Sequence, residues 1–312
     1  MGDWKDFSLY SGHMVQRFNN EVDKIEAQNK DTYSPQDFGS FDALHYCGYD
    51  YLAPFLESLY KGQNIKVLDL GCGIGGGSRL IASNYQSEVT AVDYLEGYCQ
   101  VHRRINSLCN LENIQVLQGD ASTLNLEELG LVSNCDLVFS IQVFLHIPDK
   151  ISLFQKCFQA LKPGGKLYIE DWGVQSSGPF NQEEEKVADI LGMIDRLSEE
   201  EYKKQVQEAG FLVEESRFRT KEWSRYIWSR AESLASREEE LVAMHGRDWW
   251  ETWSSWSLGY GLFAFHSLEM SLEEVKTEFP TVCQKVGEDT VAGWIQARQK
   301  FGGYYLVATK PN

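Results

Sequence analysis

The sequence predicts an α/β fold, with helices on both faces of a largely parallel sheet, and three features carry that expectation. From Lys66 onward, short apolar runs alternate with amphipathic stretches of helix length. The apolar runs "KVLDLG" and "CDLVFSIQV" are nearly continuous, as strands buried on both faces require. Between the first run and the first helix lies "GCGIGGG", with five glycines from Gly71 to Gly77.

Residues 1 to about 40 are polar and aromatic, with weak helical periodicity from Val15 to Ile25. "SPQDFGSFD", Ser34 to Asp42, reads as a loop, and "DYLAPFLESLY" as a helix leading into the sheet. The alternation then runs strand "KVLDLG", helix "GSRLIASNY", strand "EVTAVDY", helix "LEGYCQVHRRINSLCN", strand "IQVLQGD", strand "CDLVFSIQV". The helix "ISLFQKCFQALKPGG" should stop at Pro163, Gly164 and Gly165. "KLYIEDW" is a fifth strand. "NQEEEKVADILGMIDRL" and "SEEEYKKQVQEAGF" are helices, the second opened by a Ser198/Glu201 capping box. "FLVEESRFR" reads as a sixth strand, residues 221 to 302 as helical and tryptophan-rich, and "GGYYLVATKPN" as a last strand. The expected organisation is an N-terminal helical cap (1–60), a core (61–220), a helical Trp-rich lid (221–302) and a final core strand (303–312).

The formal net charge is −17, and no basic run exceeds "HRR" at His102 to Arg104, which argues against nucleic acid. The seven cysteines form neither a CxxC pair nor a metal spacing with histidine, so no metal is expected and the thiols read as reduced and cytoplasmic. The N-terminus has no signal-peptide pattern, and Asp6 stands where myristoylation wants Ser or Thr. No apolar run reaches the length of a membrane span.

A strand, a glycine turn and a helix make a nucleotide site, because glycine lets a ligand approach the backbone and the helix offers free N–H groups. Three acids narrow the ligand. Asp93 ends the second strand, 22 residues after Gly71, where a carboxylate accepts bonds from ribose hydroxyls. Asp69 lies inside the first strand, where it would repel a pyrophosphate but suit an ammonium or sulfonium. Asp120 follows the third strand, placed to meet an adenine edge. A nicotinamide dinucleotide is disfavoured by Asp69 and by the glycine spacing.

"VLDLGCGIGGGSRLIA", "VTAVDYL", "QGDAS" and "ALKPGGKLYIEDW", in this order, resemble the class I S-adenosylmethionine-dependent methyltransferases over about residues 40 to 220. The resemblance implies a Rossmann-like seven-stranded sheet, the last strand antiparallel between the fifth and sixth. It implies S-adenosylmethionine as cofactor, with Gly71, Cys72, Gly73 and Gly75 around its methionine end and Asp69 facing its amino group. Asp93 with Tyr94 would meet the ribose, Asp120 with Ala121 the adenine, and Ser140 and Gln142 would lie near the sulfonium.

"FLHIPD" followed by "LFQKCFQALKPGG" resembles the small-amine branch of that family, which methylates sarcosine, dimethylglycine or phosphoethanolamine. The resemblance implies His146 as a catalytic residue working with an N-terminal tyrosine, either Tyr33 or Tyr46. Trp249 and Trp253, with Trp256, are three or four apart, and indole faces bind amines through cation–π contact. They pack on the protein or line an acceptor pocket with Trp172. An acceptor carboxylate needs an arginine, and Arg219 stands with Arg225, Arg247 and Arg298 as candidates. The expected activity is methylation of a small amine of the sarcosine/dimethylglycine type, by a monomer or homodimer. Phosphoethanolamine fits less well, since phosphate wants a basic cluster. The alternatives are an O-, S- or C-methyltransferase of a lipophilic small molecule, and a catalytically silent cofactor-binding protein.

Overall fold

A computed structural model describes residues 12–42, 48–176, 178–266 and 268–312. Two compact units emerge, one drawn from residues 12–171, 200–217 and 305–312, the other from 172–199 and 218–304.

The first unit holds the sheet. Its N-terminal helices are α1 (Gly12–Glu26), α2 (Gly39–Asp42) and α3 (Leu52–Tyr60). The alternating part is β1 (Lys66–Leu70), α4 (Gly76–Tyr85), β2 (Glu88–Asp93), α5 (Glu96–Leu108), β3 (Ile114–Gln118), β4 (Cys135–Ile141), α6 (Lys150–Ala160) and β5 (Leu161–Val174). After α7 (Gln182–Ile190), which belongs to the other unit, come α8 (Glu199–Glu208) and β6 (Leu212–Phe218), and β7 (Phe301–Thr309) is the last strand. The sheet order is β3-β2-β1-β4-β5-β7-β6. β1 to β5 pair in parallel, Val67 opposite Val89 on one side and opposite Leu137 on the other. β7 runs antiparallel to β5: Gly164 N–H bonds to Lys310 O (2.8 Å) at one end, and Gln175 N–H to Lys300 O (2.9 Å) at the other. The seven strands and the place of the last one match the expectation.

Val67, Val89, Ala91, Leu137, Phe139 and Tyr168 form the buried middle of the sheet with Leu52, Leu56 and Ile81 from the helices. Four of the five β1 residues are buried, so the strand reads as one apolar run broken only by Asp69.

Two expectations are corrected. Ser34 to Asp42 is not a loop: Pro35–Phe38 forms a 3₁₀ turn that runs into α2. Asp37 accepts the Ser34 backbone N–H (2.8 Å), Pro35 occupies the first helical position, and Phe38 and Phe41 are buried. The helix before Pro163 stops at Ala160, not at the glycines. The residue before a proline avoids the helical region, and the backbone of Gly164 and Gly165 is already paired with Lys310.

The second unit is mainly helical. It contains α9 (Thr220–Ser236), α10 (Glu238–His245), α11 (Arg247–Ser254), a π-helical stretch (Ser255–Tyr260), α12 (Gly261–Ala264), α13 (Leu272–Glu278), α14 (Pro280–Val286) and α15 (Glu288–Gln296). Its interior is aromatic, with Trp223, Trp228 and Phe265 fully buried. Among the described residues, no helix is long and apolar enough to cross a membrane.

Candidate cofactor-binding and active site

The site sits at the carboxyl ends of β1, β2 and β4, where parallel sheets bind ligands. β1 ends at Leu70, and both Gly71 N–H (2.8 Å) and Cys72 N–H (3.0 Å) bond to Val92 O of β2. Gly71 and Gly75 have φ of 76° and 87°, a left-handed backbone that favours glycine. A Cβ on Gly71 would fall inside the Val143 side chain, and one on Gly75 inside the His102 ring. Glycine is thus required at these two positions by neighbours from the turn after β4 and from α5. The Cys72 thiol is pushed well up by burial and by Asp69 and Asp93, which disfavours the thiolate.

Asp69 is 3% exposed, and its Oδ2 accepts the Ser78 Oγ–H at 2.6 Å. Burial raises its pKa to about 7 against that bond, with Asp93 adding to the rise. Asp93 accepts Gly73 N–H at 2.8 Å and Leu95 N–H at 2.9 Å. Burial raises its pKa too, and the two backbone bonds oppose the rise. Tyr94 follows and is half-buried, its carbonyl accepting Gln118 Nε2 at 3.2 Å. Asp120 spends Oδ1 on the Ser122 N–H (2.8 Å) and Oγ–H (2.6 Å), closing the turn after β3, with Ala121 buried beside it.

At the end of β4, the buried Ser140 donates to Leu70 O at 2.8 Å, fastening β4 to β1. Gln142 has a φ of 59°, held by its N–H bond to Glu170 O at 2.7 Å. Its Nε2 is buried with no hydrogen-bond partner among the described residues. A strained backbone presenting an unmet donor makes Gln142 a candidate ligand contact. Gln142→Gly should therefore leave the melting temperature unchanged, or raise stability by up to about 1 kcal/mol, while lowering kcat/KM about tenfold. Thermal melts and steady-state rates on the same preparation check this.

Val143, packed on Gly71, leads into the short turn Phe144–His146. The Leu145 N–H donates to Asp171 Oδ2 at 2.9 Å, and the Tyr202 hydroxyl donates to the same oxygen at 3.3 Å. Asp171 is fully buried and His146 is half-buried. The turn that carries His146 is thereby fixed beside the glycine loop.

Of the tyrosines, Tyr33 donates to Glu26 O at 3.1 Å, and Tyr46 lies outside the described residues. The Tyr49 hydroxyl lies against Gly76. Trp172, Trp249, Trp253 and Arg219 all belong to the second unit and are buried there. Trp172 meets Phe265 edge-on at 4.3 Å. Trp249 stacks with Trp253 at 6.3 Å, as the helical spacing predicts, and the side chain of Trp256 is outside the described residues. Sequence reasoning missed Ser78, Asp171 and Tyr202, which position the others. Asp171 had a visible signal, an acid inside the apolar run "YIEDW".

The chemistry of this rim suits S-adenosylmethionine. It offers a buried carboxylate for an ammonium, a second carboxylate with lone pairs left over for a diol, and an amide donor without a partner. Among the described residues, no group of three or more His, Cys, Asp and Glu could hold a metal ion.

A family model described as a methyltransferase domain matches residues 61–226. Phosphoethanolamine N-methyltransferase 1 of Triticum aestivum is 30% identical over 214 residues, covering 67% of this chain and 41% of the relative. The chain spans about two fifths of the length of the curated relatives it matches. Phosphoethanolamine N-methyltransferase 2 of Haemonchus contortus, solved with S-adenosyl-L-methionine, superposes with a TM-score of 0.70 at 19% identity, over 99% of this chain and 60% of that one. A candidate sarcosine dimethylglycine methyltransferase of Galdieria sulphuraria superposes with a TM-score of 0.60 at 18% identity, over 83% and 82%.

Proposed function

The chain belongs to the methyltransferase-domain family, and on that premise we propose that it transfers a methyl group from S-adenosylmethionine to the nitrogen of a small amine, of the sarcosine/dimethylglycine type. The observation that carries this reading is the turn Phe144–His146, fixed by Asp171 and set against the glycine loop through Val143 and Gly71. When bound, S-adenosylmethionine supplies an electrophilic methyl group on a cationic sulfur. Asp69 would receive its ammonium, Asp93 its ribose hydroxyls, and Asp120 with Ala121 its adenine. His146 would take the proton from an acceptor ammonium and so free the lone pair.

A second reading, phosphoethanolamine as acceptor, is favoured by the wheat relative. Against it stands the charge of the chain, −17. Several of its cations are already engaged with carboxylates, as in Lys221–Glu269, Arg225–Glu278 and Arg247–Glu238. A phosphate dianion needs such cations free. The test is a panel with methyl-labelled donor: glycine, sarcosine, dimethylglycine, phosphoethanolamine, thiols and phenols. Label on sarcosine or dimethylglycine supports the first reading, and label on phosphoethanolamine alone replaces it with the second. Label only on thiols or phenols overturns both.

The Asp69 assignment has a pH signature. Below about pH 7 the carboxyl of the unliganded protein keeps its proton, while an ammonium ligand prefers the carboxylate. Binding then expels a proton, so affinity should rise by up to about tenfold per pH unit from 5 to 7 and level off above. Calorimetry in two buffers of different ionisation enthalpy measures the proton released. Asp69→Asn should abolish both the release and the slope.

A further inference from the structure

The proposed reaction moves a positive charge. Once the proton has gone to His146, the amine nitrogen gives its lone pair to the methyl carbon and the carbon–sulfur bond breaks towards sulfur. Sulfur becomes neutral and the charge settles on nitrogen. A carboxylate held close to that nitrogen stabilises the charge as it forms. Asp69 and Asp93 are taken up by the donor in that reading, which leaves the acceptor side to another group.

Glu170 has the place and the burial for it. It stands at the carboxyl end of the β4–β5 pairing, opposite Ile141, and is 1% exposed. The Tyr168 hydroxyl donates to its Oε1, and a neutral donor orients a carboxylate without cancelling its charge. Strand register fixes the face. Asp69, Phe139 and Tyr168 form one row across β1, β4 and β5, and Ile141 and Glu170 form the next row towards the rim. Phe139 and Tyr168 share one buried cluster and Ile141 packs against it, so Glu170 stands on that face. Asp69 shares the face: Ser78 of α4 holds its carboxylate, and Phe139 packs beside Gly77 of the same helix. By strand geometry the Asp69 and Glu170 backbones are about 12 Å apart, enough for the donor's amino-acid chain to lie between the two acids. A second observation stands next to Glu170. The Gln142 N–H donates to Glu170 O at 2.7 Å, and Gln142 Nε2 is buried with no hydrogen-bond partner among the described residues. That unmet donor makes this part of the rim a candidate for contact with a polar ligand.

We propose that Glu170 is the acceptor-side carboxylate: it binds the amine as its ammonium and stabilises the charge that nitrogen acquires during transfer. The inference rests on the amine reading above and adds to it the group that recognises the cation. It serves sarcosine, dimethylglycine and phosphoethanolamine alike, since all three carry a cationic nitrogen. It also sets amines apart from thiols and phenols. Methylation of a thiolate or phenolate gives a neutral product, so the carboxylate gains nothing there and repels the incoming anion.

The test compares the unaltered chain with Glu170→Gln, which keeps the shape and loses the charge, and Glu170→Asp, which keeps the charge on a shorter arm. Sarcosine, dimethylglycine and phosphoethanolamine are offered with methyl-labelled donor. The trimethylated form of whichever amine is methylated, a permanent cation, is then added as competitor. In Glu170→Gln, kcat/KM for the amine should fall about 10²-fold and the competitor's inhibition constant should rise about tenfold. S-adenosylhomocysteine should bind within about twofold of the unaltered chain, because the donor has its own acids. Glu170→Asp should recover part of both losses. Should Glu170→Gln fail to fold, Glu170→Asp decides alone, by a raised inhibition constant at unchanged donor affinity. Inhibition that is unchanged in the variants, or absent in the unaltered chain, overturns the proposal. A fall in amine turnover matched by an equal loss of S-adenosylhomocysteine affinity also overturns it, and makes Glu170 a structural group of the rim. An unaltered chain that methylates only thiols or phenols overturns the amine reading itself, and the proposal with it.

Discussion

Replacement of Asp93 by alanine is expected to weaken S-adenosylhomocysteine binding about 10³-fold, with a far smaller change in thermal stability. The two effects separate because the carboxylate has two kinds of partner. Its bonds to Gly73 N–H and Leu95 N–H, at 2.8 and 2.9 Å, hold the glycine loop against the end of β2. Each oxygen keeps a further lone pair, which a ribose diol would take. Hydrogen bonds to a charged group contribute about 1.5–3 kcal/mol each, so loss of two ligand bonds alone gives 10² to 10⁴ in affinity. Stability responds in both directions. Alanine leaves two backbone donors without their partner, but it also removes a charge whose pKa is raised by burial, and that burial opposes folding. Asp93→Asn keeps one acceptor oxygen and should fall between. Calorimetric titration beside a thermal melt gives both numbers. Unchanged affinity in Asp93→Ala would remove the ribose assignment, whatever the melt shows.

The sheet was legible because its strands are buried on both faces. Such strands leave continuous apolar runs, and the helices between them leave a different period. The misread boundaries are those where punctuation residues serve a second purpose. Pro35 begins a turn instead of breaking one, and Gly164 and Gly165 lie in a strand already paired with Lys310. Asp69 stood out as a carboxylate inside an apolar strand, which is costly unless something uses it, and Asp93 stood out by its place at the end of the second strand. The same cost attaches to Asp171, within "YIEDW", which the sequence reading passed over. The buried pair Arg79–Asp42 could not be found this way, since its members are 37 residues apart and no local pattern links them. Helical spacing put Trp249 and Trp253 on one face, but an inward face and a ligand-binding face have the same period.

His146→Ala should lower kcat/KM for an amine acceptor about 10²-fold at pH 7, and the deficit should close as the pH approaches 10. Small aliphatic amines are protonated at neutral pH and have no lone pair to offer. A base must remove the proton within the complex, or the enzyme must wait for the rare neutral amine. Raising the pH supplies that neutral amine from solution, so the variant gains rate where the unaltered chain has already levelled. A phenol acceptor gives the contrast, because its oxygen needs the base during the displacement itself. The turn offers an independent check. Asp171 holds the Leu145 N–H at 2.9 Å, one residue before His146. Asp171→Asn keeps an acceptor oxygen but loses the charge, and should cost about fivefold in kcat with the pH midpoint unmoved, the mark of a misplaced base rather than an absent one. Donor affinity, measured with S-adenosylhomocysteine, should be the same in all three proteins. If His146→Ala keeps full activity at pH 7 with a flat profile, His146 only packs the turn. The acceptor must then arrive already deprotonated, which would point away from aliphatic amines altogether.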